Sequence, residues 1–327
     1  MRTPPATADQ DVRVVALGGG HGLAASLSAL RGVTRQVTAV VTVADDGGSS
    51  GRLRRELDVL PPGDLRMALA ALCGDDEWGR TWSRVVQHRF RSEGDLHDHA
   101  LGNLLIVALW ELLGDSVEGL DWMGRLLGAE GRVLPMSLVP LDLEALVHPE
   151  GDENAADDAA AVTVRGQVAV ATARGRVSHI SLVPPAPPAC PEAVQAVREA
   201  DWVVLGPGSW FSSVIPHLLV PELAAALKET TARRLVALNL APQPGETTGL
   251  SPEGHLEVLG RHAPGLALDA VLADPKTAPD LVTLEQVAAQ FGARLALAHV
   301  GRADGSPQHD PELLAAAYRD IFASGRI

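Results

Sequence analysis

Four times in this chain a short apolar run ends in a loop built from small, acidic and amide residues. Val12 to Leu17 runs into "GGGHG" (Gly18 to Gly22), and Val37 to Val43 into "DDGGSSG" (Asp45 to Gly51). Trp202 to Leu205 runs into "GPGSWFSS" (Gly206 to Ser213), and Leu235 to Leu240 into "NLAPQPGETTG" (Asn239 to Gly249). Helical composition follows each loop. Short β-branched runs bounded by glycine read as buried strands. Strands that alternate with helices form a parallel sheet covered on both faces. Ligands of such sheets bind outside the carboxyl ends of the strands. The four loops should therefore gather at one edge of one sheet, and the fold class is α/β.

The remaining chain hangs on this frame. Residues 1–11 are polar and Pro/Ala/Thr-rich, and read as a mobile tail; residues 12–327 read as a single α/β domain. Between Arg52 and Leu127 the pattern is helical, with helices expected at Gly63 to Leu72, Trp78 to Arg89, His99 to Leu113 and Glu118 to Leu127. This excursion is a candidate cap over the site. Residues 132–183 read as a small β-rich insertion interrupted by the acidic turn "HPEGDENAADDAA", and "PPAPPACP" closes it as a stiff connector. Further helices are expected at Pro191 to Ala200, Leu218 to Thr230, Pro252 to His262, Leu281 to Phe291 and Pro311 to Ala323.

Charge and composition remove several classes of function. The formal net charge is −14, which opposes binding to a nucleic-acid backbone or to anionic lipid. No apolar stretch is long enough to span a bilayer, so no membrane insertion is expected, and the first residues lack the apolar core of a secretory signal. Cys73 and Cys190 are the only cysteines and form no CxxC pair. A disulfide framework and a thiolate zinc site are both ruled out, and a reducing cytoplasm is the expected location. Lys228 and Lys276 are the only lysines, and neither belongs to a GxxxxGK[ST] phosphate loop.

Each loop has a chemical reading and a plain one. Gly18, Gly19, Gly20 and Gly22 around His21 let a backbone turn its N–H groups toward phosphate ahead of a helix N-terminus; the plain alternative is a tight turn. The spacing is not GxGxxG, because Leu23 stands where the third glycine belongs, and this weighs against a dinucleotide oxidoreductase. Gly47, Gly48, Ser49 and Ser50 form a second candidate anion nest. The carboxylates before them, Asp45 and Asp46, have two open roles: accepting from a sugar hydroxyl, or holding Mg²⁺ beside a phosphate. The plain reading makes Asp46 a helix cap.

Asp64 and Arg66 open the "PPGDLRMAL" helix, as cap and as phosphate or carboxylate partner. His97, His99 and Asn103 form a polar group, with His99 and Asn103 sharing a helix face by spacing. Gly206, Gly208 and Ser209 repeat the phosphate pattern. Asn239, Gln243, Glu246, Thr247 and Thr248 suit hydroxyl or base recognition.

These blocks closely resemble the YvcK-type gluconeogenesis factor family, within the superfamily of CofD, the 2-phospho-L-lactate transferase. The residues that carry the resemblance are "VALGGGHGL", "VTVADDGGSSGRLR", "PPGDLRMAL", "HALGNLLI", "LGPGSWFSSVIPHLLVPEL" and "QPGETTGLSPEGHLEVL". The resemblance implies a Rossmann-like fold with a nucleotide site. It also implies binding of UDP-sugars such as UDP-N-acetylglucosamine, and a part in gluconeogenic growth and cell shape. A homo-oligomer, dimer or larger, is implied as well. The CofD alternative is a Mg²⁺-dependent transferase of a phospho-group from a nucleotide diphosphate donor, with Asp46 the residue carried over as the catalytic candidate. Asp46 is then expected to face the ligand's sugar or acceptor group, and Asp45 to turn inward toward Arg66, while Gly47 to Ser50 wrap the ligand.

Overall fold

The structure, a computed structural model, describes residues 12–148, 161–243, 246–247 and 249–324. The expected tail, most of the acidic turn after His148, and Thr248 lie outside the described residues. In chain order the first half carries β1 (Arg13–Gly18), α1 (Gly20–Arg31), β2 (Gln36–Val41), α2 (Gly48–Leu57), α3 (Gly63–Ala71), α4 (Glu77–Gln87), α5 (Leu101–Leu113), α6 (Ser116–Leu127) and β3 (Arg132–Pro135). A small unit follows: β4 (Asp142–His148), β5 (Val162–Arg165), α7 (Gln167–Ala171) and β6 (Arg176–Val183). The second half carries α8 (Pro191–Glu199), β7 (Trp202–Leu205), α9 (Pro221–Glu229), β8 (Arg233–Ala237) and α10 (Pro252–His262). It ends with β9 (Ala270–Ala273), α11 (Leu281–Gln290), β10 (Arg294–Leu297) and α12 (Pro311–Ser324).

The main sheet runs β10-β9-β8-β7-β1-β2-β3, and every neighbouring pair is parallel. Its central strands are buried along almost their whole length, as their unbroken Val, Leu and Ala runs require. The order reverses direction between β1 and β7. Strands added after β1 extend one half, and strands added after β7 extend the other. The loops that leave these two neighbours must diverge, and a crevice opens between them. Gly18 to Gly22 and Gly206 to Ser209 are those two loops.

Helices α2 to α6 form the expected helical excursion, joined to β3 at its end. Among the described residues no single helix is long and apolar enough to cross a membrane.

Three sequence readings need correction. Arg132 to Pro135 does not belong to the insertion; it pairs in parallel with β2 as the sheet's edge strand. The insertion proper is the antiparallel sheet β5-β4-β6, narrowed at its neck by a bridge between Ser137 and Ala189. Within it, "QVAVA" is a short helix and not a strand: Gly166 turns the chain at φ 103°, and Val170 is the residue that α7 buries. The helix expected from Leu218 to Thr230 is a 3-10 turn (Ile215–Leu219) and then α9, because Pro221 cannot continue the first element's hydrogen bonds.

Candidate functional site

The crevice at the switch point is a cleft of about 720 Å³. One wall is the outer side of α1, with His21, Gly22 and Ser28, and of α3, with Met67 and Ala71. The floor is Pro207 and Gly208, and the opposite wall is Asn239 to Gln243. The loop after β10 closes the end with Arg302, Gln308 and His309. Gly22 makes the floor possible: a methyl group on it would run into the Cα of Gly208 and the carbonyl of Pro207. The two glycine loops therefore meet backbone to backbone. Asn239 fixes the junction, accepting from Gly208 N–H at 2.8 Å and donating to Gly208 O at 2.8 Å. Its side chain ties the fourth loop to the third.

The third loop does not lead into an α-helix. Ser209 precedes a π-turn (Trp210–Val214). The donors at its start already hold an acid. Glu246 is 5% exposed and accepts from Phe211 N–H (3.2 Å), Ser212 N–H (3.3 Å), Ser212 Oγ (2.6 Å) and the side chain of Ser209. Burial raises its pKa, and these hydrogen bonds oppose the rise. Expected as ligand groups, Ser209 and Glu246 instead satisfy each other, and no free helix N-terminus remains there for phosphate.

A second centre lies at the start of α3. Asp64 sits in that helix's first turn, not at its cap, and accepts from Gly20 N–H at the opening of α1. Burial and then the neighbouring charge of Asp45 push its carboxyl up to about 7; the Gly20 hydrogen bond and Arg66 act against this. Asp45 accepts from Gly47 N–H at 2.9 Å, and its other oxygen closes on Gly63. A side chain on Gly63 would meet both that oxygen and Ser50 Oγ. Arg66 is 4% exposed; burial, then the charge of Arg89, lowers its pKa to about 10. Its Nε donates to Asn103 Oδ1 at 2.9 Å.

Behind Arg66 lies a closed polar network. Ser49 Oγ accepts from Ala100 N–H (3.3 Å) and from Asn103 Nδ2 (3.0 Å), so its own hydrogen goes to His99 Nδ1 (3.0 Å). His99 is then a neutral acceptor, and burial with the charge of Arg52 lowers its pKa. It reaches Asn103 through Ser49 and not along a helix, because α5 begins only at Leu101. His97 lies outside, exposed, where its carbonyl accepts from Arg52. Ser49 and Asn103 are therefore engaged inside the protein, and Ser50 is buried against Gly63.

The two aspartates part, though not as expected. Asp45 turns inward, but it faces Asp64 as well as Arg66, and it forms no ion pair with Arg66 among the described residues. Asp46 Oδ1 accepts from Val168 N–H at 3.0 Å, at the start of α7. It pins the small unit to the sheet edge instead of facing the cleft. The two neighbouring carboxylates thus turn to different backbone donors, Gly47 N–H and Val168 N–H. Gly18 ends β1, Gly19 caps α1, Gly47 caps α2, Gly48 opens that helix, and Gly206 leaves β7. Of the anticipated groups, His21, Gly22, Gly208, Asn239 and Gln243 line the cleft. Sequence reading missed Arg302, Gln308 and His309. Their loop has no glycine-rich signature; a Gly301–His309 bridge closes it, and Asp274 holds its start by accepting from Val300 N–H (2.9 Å) and Gly301 N–H (3.2 Å).

Residues 14–297 match the family model described as 2-phospho-L-lactate transferase CofD. A Mycobacterium tuberculosis protein (strain H37Rv) of the gluconeogenesis factor group is 54% identical over 319 residues, covering 95% of this chain and 92% of that protein. The gluconeogenesis factor of Halalkalibacterium halodurans is 38% identical over 269 residues, covering 82% and 79%. A crystal structure of a UPF0052 family member from Bacillus halodurans shares the fold with a TM-score of 0.81 at 32% identity, covering 94% of this chain and 98% of that one.

Proposed function

The chain belongs to the gluconeogenesis factor family, built on a CofD-type domain, and on that premise we propose that it binds a nucleotide sugar of the UDP-N-acetylglucosamine type and acts as a ligand-responsive regulator. One observation carries the reading. The protein's formal charge is −14, yet no carboxylate lines the cleft and Arg302 is its one arginine or lysine among the described residues. A cleft kept free of acid on so acidic a chain favours an anionic ligand. It sits at the topological switch point, where α/β sheets take nucleotides. Arg302, on the cleft wall and with no ion pair among the described residues, is the cation that supports a diphosphate there. The part in carbon metabolism rests on the name the relatives carry. The part in cell-wall growth and cell shape rests on the ligand, an amino-sugar donor.

Titration calorimetry tests this reading. Heat with UDP-N-acetylglucosamine supports it; heat with GDP alone overturns it in favour of a CofD-like donor site.

A second reading, a Mg²⁺-dependent transferase, is favoured by the Asp45–Asp64 pair beside the cleft. The residues fit such an ion only in part. Two carboxylates converge, but no group of three His, Cys, Asp or Glu side chains occurs among the described residues. Mg²⁺ bound there would draw its other oxygens from water and ligand phosphate, as it commonly does. In this reading Asp45 and Asp64 would hold the ion, whose charge would lower the proton affinity that burial raises at Asp64.

A further inference from the structure

We infer that Asp274 is a positioning residue for the cleft: its carboxylate fixes the loop after β10 in the form that presents Arg302 to the ligand's phosphates. The inference rests on the nucleotide reading above and adds how the cleft's arginine is held. Asp274 itself does not line the cleft.

Asp274 follows β9 directly and is 4% exposed. A buried carboxylate is costly unless donors surround it, and two loops supply them here. Oδ1 accepts from Lys276 N–H at 3.0 Å and from His299 Nδ1 at 3.2 Å. Oδ2 accepts from Val300 N–H at 2.9 Å and from Gly301 N–H at 3.2 Å. Burial raises its pKa, but the donors at Lys276, Val300, His299 and Gly301 outweigh burial and hold the group below its ordinary value. It is therefore ionised and accepts only, so the His299 ring must be the donor.

Three of these donors belong to the residues immediately before Arg302. The same stretch is closed from its other side. Val300 O accepts from Asp310 N–H at 2.8 Å, and Arg302 N–H donates to Gln308 O at 3.0 Å. The backbone around Arg302 is thus tied down while its side chain stays exposed. Ordering a loop on binding costs affinity, and a loop already ordered avoids that cost. An amide in place of the carboxylate has one acceptor oxygen. One of the two donor pairs must then face its NH2 group, and a backbone N–H loses its partner.

The test is a double-mutant cycle for UDP-N-acetylglucosamine binding, by calorimetry of the full chain, with melting curves as the folding control. Its members are wild type, Asp274→Asn, Arg302→Ala and the double variant. Arg302→Ala should weaken binding about tenfold, the scale of a lost hydrogen bond to a charged group. Asp274→Asn should weaken it about three- to tenfold, and should add nothing once Arg302 is gone. A merely structural role would cost the same factor in both backgrounds, and that result overturns the inference. So does wild-type affinity in either single variant, which leaves the nucleotide reading standing. If Asp274→Asn does not fold, His299→Ala takes its place, because it removes an exposed donor to the same carboxylate and spares the backbone bonds. It should weaken binding about twofold, the scale of an exposed ion pair, and only while Arg302 is present; the same loss without Arg302, or no loss, overturns the inference. Wild type that binds no nucleotide sugar removes the reading itself, and this inference with it.

Discussion

At the residue scale the centre of interest is a carboxyl with an unusual proton affinity. Folded Asp64 keeps its proton to about pH 7, whereas its ordinary value is 3.8. The unfolded chain therefore releases this proton first as pH rises, and stability falls between those two values. Below pH 4 the group costs nothing, and above pH 7 its cost is complete. Asp64→Asn should match wild type in urea unfolding at pH 4 and exceed it at pH 8. Equal stabilities at pH 8 would show that the carboxyl is not perturbed. Asp45→Asn removes a neighbouring negative charge, so a carboxyl-resolved NMR titration should find Asp64 lower than in wild type. Gly22 is the other sensitive position. Gly22→Ala drives a methyl group into the Gly208 backbone, and neither side is a flexible side chain that can yield. The expected loss is about 1–3 kcal/mol in denaturant unfolding, together with loss of nucleotide heat.

Elements show which sequence signals were local and which were not. Strands β1, β2 and β7 and helices α3, α5 and α10 were legible because period, caps and glycine boundaries all lie within a few residues. The parallel pairing of β3 with β2 leaves no local mark, so its run read as part of the insertion. "QVAVA" alternates like a strand, and only a fold that turns at Gly166 makes it helical. The acids were misdirected for the same reason. The partner of Asp46 lies 122 residues away, and that of Glu246 lies 34 or 35 residues away. Loop composition announces that something binds; it does not say whether the binder is a ligand or the protein itself. A consequence follows for α7. Asp46→Ala removes the acceptor at that helix's first turn, at a cost of about 0.5–2 kcal/mol. Amide exchange should speed up across Val168 to Thr172 while β1 and β7 remain protected. Unchanged exchange there would show that the contact holds nothing.

At the scale of the molecule, the proposed ligand site rests on two features, the split sheet order and a cleft without carboxylates. A ligand at 100 times its dissociation constant should add ~2.7 kcal/mol to folding stability, visible as a rise in melting temperature. Arg302 is exposed, so Arg302→Ala should leave the melting temperature of the free protein unchanged and reduce the rise given by UDP-N-acetylglucosamine. An undiminished rise would assign the diphosphate elsewhere.

Helix α3 gives this arrangement a scale of length. Ala71 and Met67 stand on the cleft wall, while Asp64 opens the same helix at the other centre. Seven residues of α-helix separate Asp64 from Ala71, a span of about 10 Å. A helix is stiff, so it measures whatever lies alongside it as a gauge does. A ligand that ends short of the first turn occupies the cleft and leaves the carboxyl untouched; one that extends past it puts its far end against Asp64. UMP should therefore leave the Asp64 titration near 7, and UDP-N-acetylglucosamine should move it. If both move it equally, or neither does, the cleft does not sort its ligands by reach.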